Sequence, residues 1–209
     1  MRYIVASIIA LVIFAPSWDA QAFPRWSFGV KGGYFYPDIE GWGDQYDKDG
    51  AYVGGIEVGF KFIRQLELNA NINYSEARGN AITMSGRRSE DRTTFHTVPI
   101  YISLLYRFIF DEDQFVVPYI GGGYVHTFYW NRLNDRTISG DRMGFHGRFG
   151  LQLLIDAIDP ASAHILSDGW GIDQTYLYFE GIYSRVDDFG QEDPDLGGWG
   201  IMTGLLIEF

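Results

Sequence analysis

The chain has 209 residues, no cysteine and a formal net charge of −11. The acidic balance argues against nucleic-acid binding, because proteins that bind phosphate backbones carry clustered basic residues. The absence of cysteine excludes disulfide bonds, so a packed core or a lipid environment must stabilise the fold.

The first residues are typical of an export signal. Arg2 supplies a positive start, a continuous apolar run covers residues 3–14, and a small-residue cleavage motif, Ala-Gln-Ala, ends at Ala22. The run is too short to cross a bilayer as a helix, and no later segment approaches about 18 consecutive apolar residues. We therefore predict a signal peptide at 1–22, cleaved after Ala22, and a single domain at 23–209.

Eight segments of that domain alternate apolar and polar residues with the period of two that is typical of β-strands. They cover residues 25–36, 51–63, 66–74, 92–110, 115–130, 142–158, 174–186 and 197–209. The alternation is clearest in 66–74, where leucine, alanine, isoleucine and tyrosine face one way and glutamate and asparagine face the other. A soluble barrel and a membrane barrel both produce this pattern, with opposite faces turned to the solvent.

The connections between these segments are of two kinds. Four of them are predicted as long polar loops, namely 37–50, 75–91, 131–141 and 187–196. The connections after the second and fourth strands are only two to five residues long. Short turns on one side and long loops on the other are typical of an outer-membrane barrel with both termini in the periplasm.

Two features depart from this simple alternation. The connection 159–173 is longer than the other turns on its side, and Asp159 followed by Pro160 predicts a short helix at 161–166. In the fifth strand, whose inward face is ambiguous, the triplet 121–123 is Gly-Gly-Gly and predicts a bulge or close packing of strands.

The final segment indicates how the sheet closes. Trp199, Ile201, Leu205, Ile207 and Phe209 share one face. An amphipathic last strand that ends on an aromatic residue is typical of a transmembrane barrel, whose last strand pairs with its first while its outer face meets lipid. We predict an all-β fold, an eight-stranded antiparallel up-and-down transmembrane β-barrel located in the outer membrane.

The polar faces of these strands would point into the lumen. They supply Glu57, Lys61, Glu67, Asn69, Asn71, Asn73, Arg107, Arg148, Gln152, Glu180 and Glu208. An eight-stranded barrel is just wide enough inside for its own side chains, and an unpaired buried charge is costly. We predict a plug of salt bridges without porin-sized conductance; a polar conduit or a small ligand site is the alternative.

Three histidines, His96, His126 and His146, fall near the predicted outer rim on adjacent strands. Together with Ser184 and Glu180 they raise the alternative of a lipid A deacylase, in which histidine activates serine and a carboxylate orients the histidine. The strand parities place His146 inside and His96 outside, which argues against one shared site. The same three histidines could bind a metal only if they faced one another, so we predict neither a metal nor a cofactor.

The first and last long loops are strongly acidic. They contain Asp38, Glu40, Asp44, Asp47, Asp49, Asp187, Asp188, Glu192, Asp193 and Asp195. The run from Asp47 to Gly50 fails the calcium-loop pattern, because Gln45 and Ile56 fall on its first and last ligand positions. A solvated acidic surface is the simpler interpretation, and weak cation binding that bridges to lipopolysaccharide is the alternative.

Three stretches carry a family resemblance: 97–100, 105–108 and 117–123, which read Thr-Val-Pro-Ile, Leu-Tyr-Arg-Phe and Val-Pro-Tyr-Ile-Gly-Gly-Gly. They resemble the hairpin of OmpA-like and OmpW-like small outer-membrane β-barrel proteins. Phe209, with the alternating apolar residues before it, resembles the assembly signal that the outer-membrane insertion machinery reads in that group.

The resemblance implies contact with outer-membrane lipids and lipopolysaccharide. It also implies a structural or adhesive role without enzyme activity, or else transport of small hydrophobic compounds. The alternative is a lipid A-modifying enzyme similar to PagL-like deacylases, although the His-x-Ser spacing of that group is missing from this chain.

Overall fold

The computed structural model describes residues 23–46, 49–82, 88–111, 114–133, 136–158, 160–190 and 195–209. The predicted signal peptide lies outside these described residues. The strands are β1 (Trp26–Pro37), β2 (Ala51–Ile63), β3 (Leu66–Ile82), β4 (Arg88–Arg107), β5 (Val116–Leu133), β6 (Arg136–Leu154), β7 (Gln174–Arg185) and β8 (Gly198–Glu208). Each strand pairs antiparallel with its neighbours in the chain, and β1 pairs with β8 to close the barrel. The predicted all-β, eight-stranded up-and-down fold is therefore confirmed.

Two helices interrupt the pattern of strands within the described residues. Helix α1 (Trp42–Gln45) lies in the loop after β1, and helix α2 (Pro160–Trp170) lies between β6 and β7. Helix α2 continues to Trp170, four residues beyond the predicted end at 166. Helix α1 lies in the segment 37–50, which was predicted as a loop. In the part of the chain that is described, neither helix is long and apolar enough to cross a membrane.

The outside of the barrel carries a continuous apolar belt. Its exposed side chains come from all eight strands and include Phe28, Val30, Ile56, Leu68, Ile72, Ile102, Leu104, Ile120, Phe149, Leu151, Phe179, Ile201 and Leu205. Aromatic residues border the belt at the mouth opposite the termini; we call Tyr36, Tyr52, Tyr74, Tyr183 and Trp199 the outer girdle. Such a belt is stable against lipid rather than water, and aromatic girdles mark the membrane interfaces of barrels.

The strand boundaries at this outer mouth differ from the prediction. Strand β3 continues to Ile82 and β4 begins at Arg88, within the predicted loop 75–91. In the same way, β5 and β6 occupy most of the predicted loop 131–141. Beyond the lipid the outward face needs no apolar residues, so the alternation fades while the ladder of backbone hydrogen bonds continues.

These extensions give the outer mouth an asymmetric shape. We call the paired extensions 75–82, 88–97, 129–133 and 136–141 the raised wall. On the opposite side of the mouth, β7, β8, β1 and β2 end close to the outer girdle. At the inner mouth, β4 and β6 end at Arg107 and Leu154, earlier than the predicted 110 and 158, because the chain turns there.

The glycine triplet in β5 produces close packing and no bulge. The pairing of β4 with β5 runs without a shift from Thr93 and Leu133 to Arg107 and Tyr119. A Cβ atom on Gly123 would lie against the backbone carbonyl of Ile102, so only glycine fits there. The structure also gives β5 a definite parity, since Val117, Tyr119 and Val125 are buried inside the barrel.

Candidate functional site

The polar residues that the sequence assigns to the lumen all lie inside the barrel, where each is at most 5% exposed. They are Glu57, Lys61, Glu67, Asn69, Asn71, Asn73, Arg107, Arg148, Gln152, Glu180 and Glu208. Three further buried polar residues complete the arrangement: Ser27, Lys31 and Tyr119. Ser27 and Lys31 share the inward parity of β1, so the alternation could have found them, whereas Tyr119 lies on the strand whose parity was ambiguous.

One lysine, one arginine, two glutamates and one tyrosine form a central cluster, which we define as Lys31, Glu57, Tyr119, Arg148 and Glu180. Lys31 Nζ lies 3.2 Å from Glu57 Oε2 and 3.4 Å from Glu180 Oε1. Arg148 Nη2 lies 3.0 Å from Glu57 Oε2, and Arg148 Nε donates to Glu180 Oε2 at 2.6 Å. The Tyr119 hydroxyl donates to Glu180 Oε2 at 2.8 Å. Each carboxylate thus contacts both cations, and the formal charges cancel.

A second set of ion pairs, the inner cluster, lies closer to the termini and consists of Ser27, Lys61, Glu67, Arg107 and Glu208. Glu208 binds both cations, with its Oε2 2.5 Å from Lys61 Nζ and its Oε1 2.5 Å from Arg107 Nη1. Arg107 Nη1 also lies 3.8 Å from Glu67 Oε2, and Ser27 Oγ donates to Glu67 Oε1 at 3.1 Å. This cluster is also balanced in formal charge.

Asparagines of β3 connect the two clusters. Asn69 Nδ2 donates to Glu67 Oε1 at 3.2 Å, and Asn69 Oδ1 accepts from Arg148 Nη1 at 2.9 Å. A cavity of about 380 Å³ opens at the inner mouth, and Lys61 and Glu208 are among its lining residues. Buried charges are tolerated when they are paired, and each charged side chain of the two clusters has a partner of opposite charge. The two clusters therefore lie one above the other in the lumen, joined through Asn69.

A hydrophobic cluster occupies much of the outer half of the lumen. Helix α1 folds into the mouth, so that Trp42 and Tyr46 are each only 5% exposed. The Trp42 ring lies 4.2 Å from the Tyr46 ring and 5.8 Å from the Phe95 ring, measured between centroids. Gly41 begins this turn in the left-handed region, at φ 76°. Burial raises the pKa of Tyr46 to about 12, so its hydroxyl stays neutral.

A cavity of about 180 Å³, which we call the outer chamber, lies between α1 and the raised wall. Its lining residues are Ile39, Trp42, Gln45, Tyr46, Phe95, Tyr129, Asn131, Arg142 and Leu196. Aromatic and aliphatic side chains dominate the lining, with a few polar groups among them. This composition is typical of a site for a small apolar molecule.

The three histidines occupy separate environments. His96 faces outward, where its Nδ1 lies 2.9 Å from the Tyr74 hydroxyl and its ring stacks on Trp130 at 5.1 Å. His126 also faces outward, with Nε2 2.8 Å from Asp141 Oδ2. His146 faces the lumen and lies two residues from Arg148 of the central cluster. Within the described residues, no group of three or more histidine, cysteine or acidic side chains could hold a metal ion.

The side chains required for a deacylase are not assembled. His146 lies opposite Ser184 in the β6–β7 register, but its Nε2 is 2.8 Å from Ser103 Oγ instead. The carboxylate of Glu180 is engaged by Lys31, Arg148 and the Tyr119 hydroxyl. Both serines are 1% exposed within the lumen, on the opposite face of the sheet from the lipid belt.

Two of the acidic residues after β7, Asp187 and Asp195, bind groups of their own loop and of the adjoining end of β7. Asp195 Oδ1 accepts from the amides of Val186 and Gly197, at 2.6 and 2.7 Å. Asp187 accepts from Arg185 Nε at 2.7 Å and from the Gly190 amide at 2.8 Å. Burial opposes ionisation of Asp187, but these hydrogen bonds outweigh it and lower the pKa of the carboxyl. Asp47, Glu192 and Asp193, which the sequence analysis grouped with them, lie outside the described residues.

Comparisons with known proteins agree with this architecture. The family model described as "Outer membrane protein beta-barrel domain" matches residues 5–205. No curated protein matches the chain. Solved structures do: neisserial surface protein A is 12% identical with a TM-score of 0.56, and covers 88% of this chain and 97% of its own. The N-terminal barrel of Pseudomonas aeruginosa OprF is 13% identical with a TM-score of 0.52, covering 89% and 98%.

A third similar structure is Ail, the attachment invasion locus protein of Yersinia pestis, solved with the heparin analogue sucrose octasulfate. It is 12% identical with a TM-score of 0.50, and the match covers 88% of this chain and 97% of Ail. At such low identities, these three likenesses show the fold alone.

Proposed function

The chain belongs to the outer membrane protein β-barrel domain family, and from this membership we propose that it is a closed barrel with a structural or adhesive role at the cell surface. In this proposal both termini face the periplasm and the raised wall faces the outside. The barrel anchors the wall, and the wall supplies the surface that other molecules contact.

The closed lumen is the observation that carries this proposal. The central and inner clusters lie in series, and each contains two cations and two carboxylates that bind one another. An ion that crossed the barrel would have to break both sets of charge-assisted bonds. Such an arrangement favours a role outside the lumen over diffusion through it.

The raised wall gives an adhesive role a physical basis. It extends four neighbouring strands beyond the outer girdle, as a paired sheet whose outward side chains include Arg78, Arg92 and Arg132. A paired sheet loses less conformational entropy on binding than a flexible loop of the same length. Ail, which has a similar barrel, is named for attachment, and this supports the adhesive half of the proposal.

The first test is electrical. The purified, folded protein is added to planar lipid bilayers, and the current is recorded at fixed voltage. We expect no stable porin-sized steps, because the two clusters block the lumen. A folded sample is confirmed beforehand by its altered gel mobility without boiling. Regular, large conductance steps from such a sample would contradict the closed barrel.

The second test concerns adhesion. In one variant, residues 79–93 are replaced by Asn-Gly, which shortens the wall to the Arg78–Thr94 pair. We expect cells carrying this variant to attach less to a host-cell layer than cells carrying the unaltered barrel. The matched control is Phe179→Ala, a change on the lipid face. Equal attachment by the shortened and control barrels, at equal surface amounts, would exclude the adhesive role and leave the structural one.

The outer chamber supports a second candidate, the binding of a small hydrophobic compound. Its lining is largely aromatic, and helix α1 covers it. Transport straight through the barrel would still require both clusters to open. The test is the change in tryptophan fluorescence on adding a linear alkane or a small aromatic compound, with Trp42→Phe as the control variant; a response that survives this substitution would remove the chamber as the site.

For the catalytic alternative we propose no role. The Ser103–His146 pair is buried in the lumen, and the carboxylate expected to orient the histidine is held by the central cluster. Mass spectrometry of lipid A from cells that make the protein decides the matter, since a missing acyl chain would support the deacylase.

A further inference from the structure

Three arginines point outward from the raised wall, just beyond the outer girdle. Arg78, Arg92 and Arg132 lie on β3, β4 and β5, and each is exposed on the outer face of its strand. On the opposite side of the mouth, the outward Arg185 lies at the end of β7 and contacts Asp187 at 2.7 Å. The wall therefore presents cationic groups on a chain whose formal net charge is −11.

The strand register brings two of these arginines to either side of one threonine. Arg78 pairs laterally with Thr94, and Thr94 pairs laterally with Arg132. Neighbouring strands are about 4.8 Å apart, so the two arginine backbones are separated by about 10 Å. Long side chains reaching inward from both sides can therefore contact a single tetrahedral anion that lies over Thr94.

Neighbouring side chains hold this site in place. Arg78 Nε donates to Glu76 Oε1 at 2.6 Å, and the Tyr74 hydroxyl donates to Glu76 Oε2 at 3.0 Å. His96, stacked on Trp130, lies 3.6 Å from the same carboxylate. The bond to Glu76 uses Nε of Arg78, and the terminal nitrogens of the guanidinium are the donors for a bidentate contact with a phosphate.

The height of the site matches that of a lipid headgroup. Arg78 lies four residues beyond Tyr74 of the outer girdle, and Arg132 lies two residues beyond Trp130. In a strand tilted by about 40°, two successive residues add about 5 Å of height along the membrane normal. The backbone of Arg78 therefore lies about 10 Å above that of Tyr74, and the backbone of Arg132 about 5 Å above that of Trp130. From there the long side chains can reach the phosphates of the adjoining leaflet.

We propose that Arg78 and Arg132, with Thr94 between them, bind a phosphate group of an outer-leaflet lipid, namely a lipid A phosphate of lipopolysaccharide. The inference rests on the orientation in the proposed function, which turns the raised wall outward. Arg92, two residues further along β4, extends the same cationic surface toward the next anionic group of the headgroup.

The test uses the folded protein in detergent and lipid A that carries both phosphates, with bound lipid counted by native mass spectrometry. We expect Arg78→Gln combined with Arg132→Gln to lower lipid A affinity by about tenfold for each arginine, the effect of losing a charge-assisted hydrogen bond. The matched control Arg185→Gln removes an outward arginine that has a carboxylate partner, as Arg78 has, but lies on β7 at the opposite side of the mouth. It should leave binding unchanged. The conservative Lys variants should retain part of the affinity.

Further arms separate the possible sources of the anion. Lipid A with its phosphates removed should bind weakly, and inorganic phosphate should compete only at much higher concentration. Equal binding of dephosphorylated lipid A, equal competition by inorganic phosphate, or unchanged lipid A binding by the double variant would each overturn the proposal. Gel mobility and bilayer conductance should not change in the double variant, which keeps this test distinct from that of the closed barrel.

Discussion

At the level of single residues, Glu180 joins three other members of the central cluster. It contacts Lys31, Arg148 and Tyr119, and it is 2% exposed. Two buried cations, Lys31 and Arg148, depend on this carboxylate for their balance of formal charge. The balance of charge, rather than any one pair, is what makes the buried network stable.

We predict that Glu180→Gln destabilises the folded barrel by about 3 to 5 kcal/mol, because it leaves buried positive charge without its partner. The measurement is denaturant unfolding of the protein in lipid vesicles, followed by gel mobility. The matched control is Glu76→Gln, which removes a carboxylate from the ion pair with the exposed Arg78 and should cost about 0 to 1 kcal/mol.

A compensating variant makes this prediction sharper. Adding Lys31→Met to Glu180→Gln removes one charge of each sign, so part of the lost stability should return. If the double variant were instead as unstable as the two single changes added together, the charge-balance explanation would be wrong, and loss of packing would have to account for the effect.

The sequence reveals much of this residue-level arrangement. Alternation alone places Glu57, Lys61 and Arg107 on the inner faces of their strands. It cannot predict which partner each one binds, because partners such as Glu180 and Lys31 are brought together only by the closure of the barrel. The sequence also could not predict that Tyr119 faces inward, because β5 has apolar residues and glycines on both faces.

At the level of elements, the raised wall is the main departure from the sequence-based prediction. Residues 75–82 carry polar and charged side chains, and this composition is typical of a loop. Apolar and polar residues alternate clearly only where the outer face of a strand meets lipid. Beyond the lipid belt, both faces of the strand meet water or other protein. Helix α1 could not be predicted from the sequence either, because four residues are too few to show a helical periodicity. Its burial also depends on contact with Phe95 across the lumen.

The strand extensions predict slow hydrogen exchange. Backbone amides at 77–80 and 93–96 belong to a continuous ladder between β3 and β4, so we expect them to exchange at least about tenfold more slowly than in a free chain. The measurement is exchange followed by mass spectrometry on the folded barrel. A synthetic peptide of residues 75–97 is the control, because it has the same sequence without the barrel; equal rates in both samples would show that these residues are loop.

At the level of the whole molecule, closure depends on the pairing of the first and last strands. Strand β8 pairs with β1 from Gly198 to Glu208, and the closing ladder is extended by bonds between Trp26 and Phe209. The amphipathic ending predicted this closure from sequence, because an unpaired edge is not tolerated in lipid. The distribution of charge around the mouth was not predicted, since it requires knowing which strands continue beyond the girdle.

The terminal aromatic residue allows folding and assembly to be tested separately. The Phe209 side chain is 48% exposed on the outside, while its backbone donates to the Trp26 carbonyl at 3.0 Å and accepts from the Trp26 amide at 2.9 Å. Phe209→Ala keeps both backbone bonds, so stability in detergent should change by less than about 1 kcal/mol. If the insertion machinery reads this side chain, the amount of barrel in the outer membrane should nevertheless fall.

Phe179→Ala is the matched control, because Phe179 is also a lipid-facing phenylalanine, 49% exposed. Equal membrane amounts of the two variants would show that Phe209 contributes to the lipid belt and not to recognition, whereas equal losses in detergent and in cells would assign its role to stability.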